Sequence, residues 1–212
     1  MKKYEFTDET KEVNGVVLHR IKAVRDFGSV KAGSLGGFIK KNSNLSHDGD
    51  AWVFGDAWVS GNARVSGNAW VFGDAWVFGD AQVSGDAWVF GDARVFGDVW
   101  VFGDAQVSGD AWVSGDAWVS GDAWVSGDAW VSDNAQVEKI NDILTVGPVG
   151  SRNDFTTFYK NKDGGISVIC GCFCNNIDKF FERVQEVHGD SKHGKTYKKC
   201  IEIAKMQIIA DE

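Results

Sequence analysis

The feature that most constrains the fold is a six-residue repeat between residues 39 and 137, with four unbroken copies, GDAWVSGDAWVSGDAWVSGDAWVS, at residues 109–132. Read from Ala51, each unit is Ala–Trp–Val–Phe/Ser followed by Gly–Asp or Gly–Asn. The four alternating residues predict a short β-strand, and the Gly–Asp pair predicts a turn. Because glycine recurs in every unit and the period fits neither an α-helix nor a coiled coil, a helix is excluded. A hexapeptide period is typical of a parallel β-helix.

The alternation along each strand also predicts which side chains face inward. Ala and Val share one face of the strand, whereas Trp and the following Phe or Ser share the other. All ten tryptophans lie between Trp52 and Trp130. The interior of so narrow a coil has room for Ala and Val but not for ten indoles. The sequence therefore predicts inward valines and outward tryptophans.

With these faces assigned, the repeat resembles the hexapeptide-repeat family of left-handed parallel β-helices. That family places an aliphatic residue inside the coil and a small residue four positions later. The matching aliphatic residues include Val53, Val59, Val65 and Val71, and the matching small residues include Ala57, Ala63, Ala69 and Ala75. Three hexads close one coil in that family. The resemblance therefore implies about five coils, with equivalent residues of successive coils stacked on each other.

Two further stretches resemble phage-type proteins. Residues 26–53 resemble the start of such helices in bacterial and prophage proteins that are often labelled acyltransferases. The C-terminal stretch ICGCF…FERVQEVHG…KH…Y resembles a small domain of phage and prophage proteins that have no assigned activity. The resemblance implies a phage or prophage accessory protein that acts inside a bacterium.

The organisation of the chain predicts a mainly β fold in three parts. Residues 1–38 would form an N-terminal β-cap, residues 39–137 the left-handed parallel β-helix, and residues 138–212 a small α+β domain of ββαα type. Caps are expected because the end coils would otherwise expose unpaired strand edges. The N-terminus shows no secretory signal and no stretch approaches the length of a membrane span. We therefore expect a cytoplasmic protein without a membrane partner.

Stacking of equivalent positions predicts an aromatic belt on one face of the coil. Its six members are the following binding-site candidates: Trp52, Phe54, Trp70, Phe72, Trp88 and Phe90. One interpretation is purely structural, because stacked rings stabilise neighbouring strands by about 0.2–1 kcal/mol per pair. The other is that an exposed apolar patch marks an interface. We favour a non-enzymatic binding or assembly scaffold that forms a homo-oligomer or binds a host protein.

The charge distribution supports one alternative function. The net charge is −8 for the chain and −11 for residues 50–137, which contain thirteen aspartates and only two arginines. Direct binding of nucleic acid needs a basic surface, so it is excluded. The Gly–Asp corners have an ordinary role as turns. Their charge density also fits an acidic DNA mimic that inhibits a host DNA-binding or defence protein.

Acyl transfer is a further alternative, for which His47 is the only candidate base near the repeat. No carboxylate that could orient His47 is evident from the sequence. We therefore expect no catalytic residue and no organic cofactor.

In the C-terminal domain, a strand predicted over Ser167–Cys174 would place its three cysteines on one face. Helices are predicted from Asn176 to His188, with Phe181 and Val187 facing inward, and from Lys195 to Ala210. A zinc ion is one possible cofactor, with Cys170, Cys172, His188 and His193 as its candidate ligands. The alternative is that the cysteines are buried structural thiols.

Overall fold

The N-terminal cap is a three-stranded sheet that continues into the repeat. In a computed structural model that describes residues 1–209, β1 (Tyr4–Val13) pairs antiparallel with β2 (Val16–Ala23), and β2 pairs antiparallel with β3 (Leu35–Ile39). The strand β3 then pairs in parallel with the second strand of the repeat. A 3₁₀ turn at Asn42–Asn44 follows β3. The cap therefore supplies the edge on which the first coil is built.

The repeat forms fifteen two-residue strands, one in each hexad. They are β4 (Trp52–Val53), β5 (Trp58–Val59), β6 (Arg64–Val65), β7 (Trp70–Val71), β8 (Trp76–Val77), β9 (Gln82–Val83), β10 (Trp88–Val89), β11 (Arg94–Val95), β12 (Trp100–Val101), β13 (Gln106–Val107), β14 (Trp112–Val113), β15 (Trp118–Val119), β16 (Trp124–Val125), β17 (Trp130–Val131) and β18 (Gln136–Val137).

These strands stack in parallel into three sheets along a β-solenoid of about six turns. We call the sheets face 1 (β4, β7, β10, β13, β16), face 2 (β5, β8, β11, β14, β17) and face 3 (β6, β9, β12, β15, β18). The register confirms the predicted stacking, since Trp88 pairs with Trp70 on one side and Gln106 on the other. The solenoid has about one turn more than the five expected, because β3 pairs in parallel with β5 and Leu45 forms a parallel bridge with Val65 ahead of the first coil of the repeat strands.

The interior of the solenoid consists of the alanines and valines of the repeat. Every valine from Val53 to Val137 has no exposed surface, and Ala129, at 2%, is the most exposed alanine of the repeat. Burying a valine side chain contributes about 1.5–3 kcal/mol relative to leaving it exposed. The predicted inward orientation of these residues is confirmed.

The corners depend on glycine for two reasons. Gly91 has φ of 73°, in the left-handed region that L residues rarely adopt. Its α-carbon also lies so close to the next coil that an added Cβ would stand 2.9 Å from the backbone nitrogen of Gly109. Asp133 takes the position of a repeat glycine at the last corner of its column, and it keeps a positive φ of 55°.

The C-terminal domain is a four-stranded antiparallel sheet followed by two helices. The sheet consists of β19 (Ile143–Val149), β20 (Asp154–Lys160), β21 (Ile166–Cys170) and β22 (Phe173–Asn176), after a 3₁₀ turn at Ile140–Asp142. The helices are α1 (Ile177–His188) and α2 (Lys192–Ile209). The domain is therefore ββββαα, not ββαα, because two of its strands were not predicted. None of the helices described is long and apolar enough to cross a membrane.

Several local predictions for this domain were wrong. The strand predicted at Ser167–Cys174 is a hairpin that turns at Gly171 and Cys172, so its cysteines do not share a face. Asn176 caps α1 by accepting a hydrogen bond from the Lys179 backbone N–H at 2.9 Å, which sets the start of that helix.

The predicted helix faces also need correction. Phe181 and Val187 are 40% and 52% exposed, whereas Ile177, Phe180 and Val184 form the buried face of α1. The second helix begins at Lys192, three residues earlier than predicted, and therefore includes His193. Its predicted end at Ala210 lies outside the described residues.

Candidate functional site

Parallel, in-register stacking turns each position of the repeat into a row along the solenoid. Neighbouring strands lie about 4.8 Å apart, so side chains in one row touch their neighbours. The outward row of face 1 is Trp52, Trp70, Trp88, Gln106 and Trp124. The predicted aromatic belt belongs to this face, and its exposure decides whether a partner can reach it.

The first member of the belt is not exposed. Trp52 has no accessible surface, because the cap covers its ring with Phe27, at a centroid distance of 5.2 Å, and Tyr4, at 6.1 Å. The prediction that Trp52 is an outward binding residue was wrong. The repeat pattern alone could not reveal this, since the covering residues come from the cap. Trp58, on face 2, is likewise buried, at 6% exposure.

The rest of the belt is a continuous stack of rings. Trp70 lies flat on Trp88 at 5.7 Å between centroids, and Phe72 lies flat on Phe90 at 4.8 Å. Phe54 packs against Trp70 at 5.2 Å. These rings are half-buried except Trp88, which is 40% exposed. The belt therefore stabilises the coils along most of its length and offers a free surface mainly at Trp88.

Apart from Trp88, the most exposed indoles lie farther along the solenoid than the predicted belt. Five tryptophans are 40–50% exposed: Trp88, Trp100, Trp118, Trp124 and Trp130. The fourth position of the repeat contacts the indole of the next coil, but it does not by itself decide exposure, since Trp88 is 40% exposed although Phe72 lies 6.1 Å from it. Trp124, the most exposed, meets Ser108, whose hydroxyl accepts a hydrogen bond from the indole N–H at 3.1 Å. Trp70 instead packs against Phe54 and is less exposed than Trp124.

Two of the indole rows already hold a cation. On face 2 the guanidinium of Arg94 lies between two rings, 4.5 Å from the centroid of Trp76 and 4.7 Å from that of Trp112. On face 3 the ammonium of Lys162, from the C-terminal domain, lies 4.9 Å from the centroid of Trp118. Lys162 also donates to the carbonyl of Asp116 at 2.8 Å. The negative faces of indole rings attract such cations.

The acidic corners form three columns beside these rows. The column before face 1 is Asp50, Asn68, Asp86, Asp104 and Asp122; that before face 2 is Asp56, Asp74, Asp92, Asp110 and Asp128; and that before face 3 is Asn62, Asp80, Asp98, Asp116 and Asn134. All the aspartates except Asp50 are exposed. Two asparagines donate to the next carboxylate of their column, Asn68 to Asp86 at 3.1 Å and Asn62 to Asp80 at 3.0 Å.

A groove of about 460 Å³ runs along face 1 between the acidic column and the indole row. Asp50, Asn68, Asp86 and Asp104 lie on one side and Trp70, Trp88 and Gln106 on the other, and Gly28 and Ser29 also line it. The groove combines flat aromatic surface with carboxylates at a regular spacing. This arrangement can bind a ligand that carries both positive charge and apolar surface.

His47 lies against the cap. Its Nδ1 accepts a hydrogen bond from the backbone N–H of Lys3 at 3.2 Å, and its ring packs on Tyr4 at 4.4 Å. Burial, followed by the charge of Lys3, lowers the pKa of His47. These contacts give His47 a packing role in the cap.

The four predicted zinc ligands lie in one region but are not assembled. Cys170 is half-buried and contacts the hydroxyls of Thr156, at 3.2 Å, and Tyr197, at 3.7 Å. Cys172 is exposed at the hairpin turn. The rings of His188 and His193 are 6.1 Å apart. Between residues 1 and 209, no three His, Cys, Asp or Glu side chains are grouped so that they could hold a metal ion.

A second cleft, of about 690 Å³, lies where the last coil meets the C-terminal domain. Its lining includes Asp133 and Cys174, whose thiol lies 3.1 Å from the Asp133 carboxylate. Burial first, and then Asp133, raise the pKa of the Cys174 thiol. Sequence reasoning missed this junction. The available signal was the sequence Ser–Asp–Asn at 132–134, where the other units of the repeat have glycine at the second of these three positions.

Comparison with known proteins agrees with the solenoid. The YdcK beta solenoid repeat family model matches residues 57–73, 63–79 and 105–121, all within the stacked coils. No curated protein matches the chain. Together with the geometry, the repeat match identifies the central part of this chain as a β-solenoid.

Proposed function

We propose that this chain is a non-enzymatic binding and assembly scaffold that contacts a protein partner through the exposed indoles of face 1, Trp88 and Trp124. The observation that carries this proposal is the exposure of Trp88 (40%) and Trp124 (50%) on one face of a solenoid whose repeat valines are fully buried. Tryptophan is enriched in protein interfaces because it combines a large apolar surface with a polar N–H. The resemblance to prophage proteins supports a role as a phage accessory protein in the bacterial cytoplasm.

The energetics favour a partner that covers several rings at once. A tryptophan can bury about 150–250 Å², so covering the exposed 40–50% of Trp88 and Trp124 removes roughly 60–125 Å² per ring. At about 25 cal/mol per Å² this contributes roughly 1.5–3 kcal/mol for each ring. Association itself costs about 4–15 kcal/mol. Two rings on each of two partners contribute roughly 6–12 kcal/mol, which is comparable to that cost, so one ring alone is not enough and polar contacts around the rings would add to the affinity.

The test compares two double variants of equal chemistry. Trp88→Gln with Trp124→Gln copies the natural Gln106 of face 1, whereas Trp100→Gln with Trp130→Gln removes two equally exposed indoles elsewhere. We expect wild type to form a small oligomer of the 23.1 kDa chain in light scattering, or to retain a bacterial protein in a quantitative pull-down. The face 1 variant should lose that interaction and the control should keep it.

Equal behaviour of wild type and the face 1 variant in both assays would contradict the proposal. Circular dichroism of all three proteins shows whether the solenoid is intact. If the wild-type protein stays monomeric but still retains a partner, self-association is ruled out and binding of a foreign protein is supported.

The acidic corners favour a second candidate, an inhibitor that mimics DNA. Residues 50–137 carry a net charge of −11 over about five coils, which is about one charge per 2.2 Å at 4.8 Å per coil. Duplex DNA carries about one per 1.7 Å. A mimic should compete with DNA for a DNA-binding protein and release it between low salt and about 0.5 M salt, because screening weakens exposed charges. Retention at high salt would contradict it.

The non-enzymatic assignment has its own test. A hexapeptide-repeat acyltransferase would bind coenzyme A and would lose turnover in His47→Ala. We expect calorimetry to show no coenzyme A binding, and micromolar binding would overturn the assignment.

A further inference from the structure

The solenoid shows within its own sequence how it binds a positive side chain. Arg94 occupies one position of the face 2 indole row and is held between Trp76 and Trp112, at 4.5 and 4.7 Å. The exposed corner aspartates of that face lie alongside. The indole row is therefore a cation receptor in this fold, because the negative faces of the rings attract the guanidinium, and the exposed carboxylates of the neighbouring corners add negative charge to its surroundings.

The C-terminal domain uses the same receptor for docking. Lys162 comes from the turn between β20 and β21 and places its ammonium over Trp118 at 4.9 Å, while donating to the carbonyl of Asp116. Its backbone N–H also donates to the carbonyl of Asn134 at 2.9 Å. A lysine on a protein segment outside the repeat can therefore be held by an indole of the row together with a backbone carbonyl of the neighbouring corner.

On face 1 the same receptor exists without a cation. The equivalent row has Trp88 and Trp124 on either side of Gln106, a neutral amide where face 2 has Arg94. The groove on face 3 is lined by Lys41 and Arg64, which supply positive charge from the chain itself. The residues that line the face 1 groove, all of them within the described chain, include no lysine or arginine. Asp50 is close enough to Lys3 for their charges to interact, whereas no lysine or arginine of that lining compensates Asp86 and Asp104.

We propose that the face 1 groove binds arginine or lysine side chains of a basic protein segment, with Trp88 as the ring and Asp86 and Asp104 as the carboxylates. This inference rests on the proposed function, because it names the chemistry of the partner at one of the exposed rows. Charge complementarity selects this occupant over a second copy of the same face, since two solenoid segments of −11 repel each other. The repulsion would be largest where their acidic columns approach.

The direct test uses a matched pair of eight-residue peptides in which arginine alternates with glycine, or citrulline replaces every arginine. Citrulline keeps the size and the planar group but has no charge. Calorimetry at low salt should show the arginine peptide binding at least tenfold more tightly than the citrulline peptide. The preference should shrink at about 0.5 M salt, because the carboxylates are then screened. Equal binding of the two peptides would overturn the proposal.

Four variants locate the binding. Trp88→Gln and Asp104→Asn should each weaken binding of the arginine peptide at least fivefold. Trp100→Gln and Asp98→Asn, which remove the same groups from face 3, should change it less than twofold. Trp88→Phe, which keeps an aromatic ring, should recover part of the affinity. Equal losses in the face 1 and face 3 variants would show a general charge effect and overturn the assignment to this groove.

Failure of this inference can be distinguished from failure of the proposed function. If the peptides do not bind, but the Trp88/Trp124 double variant still loses oligomerisation or partner retention, the scaffold function stands and its partner is not basic. If the double variant behaves as wild type in those assays as well, both proposals fail.

Discussion

The close stacking of corner glycines gives a prediction that isolates one steric contact. Gly91 and Gly127 belong to the same corner column and have φ of 73° and 64°. A Cβ on Gly91 would stand 2.9 Å from the backbone nitrogen and 3.2 Å from the carbonyl oxygen of Gly109. A Cβ on Gly127 would meet nothing within 4 Å, because no further coil covers it. Alanine at these two positions therefore changes the backbone cost equally and the packing cost unequally.

The magnitudes follow from these contacts. Placing alanine in the left-handed region costs about 1–2 kcal/mol at either position. At Gly91 the next coil must also move, and overpacking of this kind costs about 1–3 kcal/mol more. We expect Gly91→Ala to reduce the free energy of unfolding by about 2–5 kcal/mol and Gly127→Ala by about 1–2 kcal/mol.

Urea unfolding followed by tryptophan fluorescence measures both changes, with the slope held common to the three proteins. Far-UV circular dichroism shows whether each variant keeps its sheets. If Gly127→Ala destabilises as much as Gly91→Ala, the close approach between coils is not what demands glycine. The conformational requirement alone would then explain the column.

Two further predictions test the interior and the cap. Val89→Asp buries a carboxylate without a partner in the middle of the core, so it should abolish the cooperative thermal unfolding seen by circular dichroism. Trp124→Gln should leave that unfolding transition almost unchanged. The reverse result would show that the inward and outward positions are assigned the wrong way round. Burial lowers the pKa of Lys3 from 10.5 to about 8, so the unfolded chain binds more protons between those values and stability should rise with pH across that window. Lys3→Met should remove this rise, and a rise that persists in the variant would assign it to another group.

The architecture of the repeat could be predicted because every hexad repeats the same pattern of inward, outward and turn residues. Val89 is buried, and Trp88 pairs with Trp70 in the register that the repeat predicts. In the C-terminal domain no such redundancy exists. Gly171 and Cys172 form a turn where alternation suggested one strand, because a single short apolar run does not reveal where the chain reverses.

The exposure of the aromatic rows could not be predicted from the repeat, since it depends on residues far away in sequence. Trp52 and Trp88 occupy the same row, yet the first is fully buried and the second is 40% exposed. The difference arises from the cap, where Phe27 and Tyr4 cover Trp52. A prediction made hexad by hexad assigns both indoles the same surroundings and therefore places the belt too near the N-terminus.

The informative positions for function are the departures from the repeat. Arg94 and Gln106 both replace tryptophan, but Arg94 fills its row with a cation and Gln106 leaves the face 1 row neutral. Asp133 replaces a corner glycine and brings a carboxylate to the thiol of Cys174. Its place at the end of a column explains how a side chain is accepted there, since no further corner is stacked on it. Repetition fixes the solenoid, and single substitutions within it distinguish one face from another.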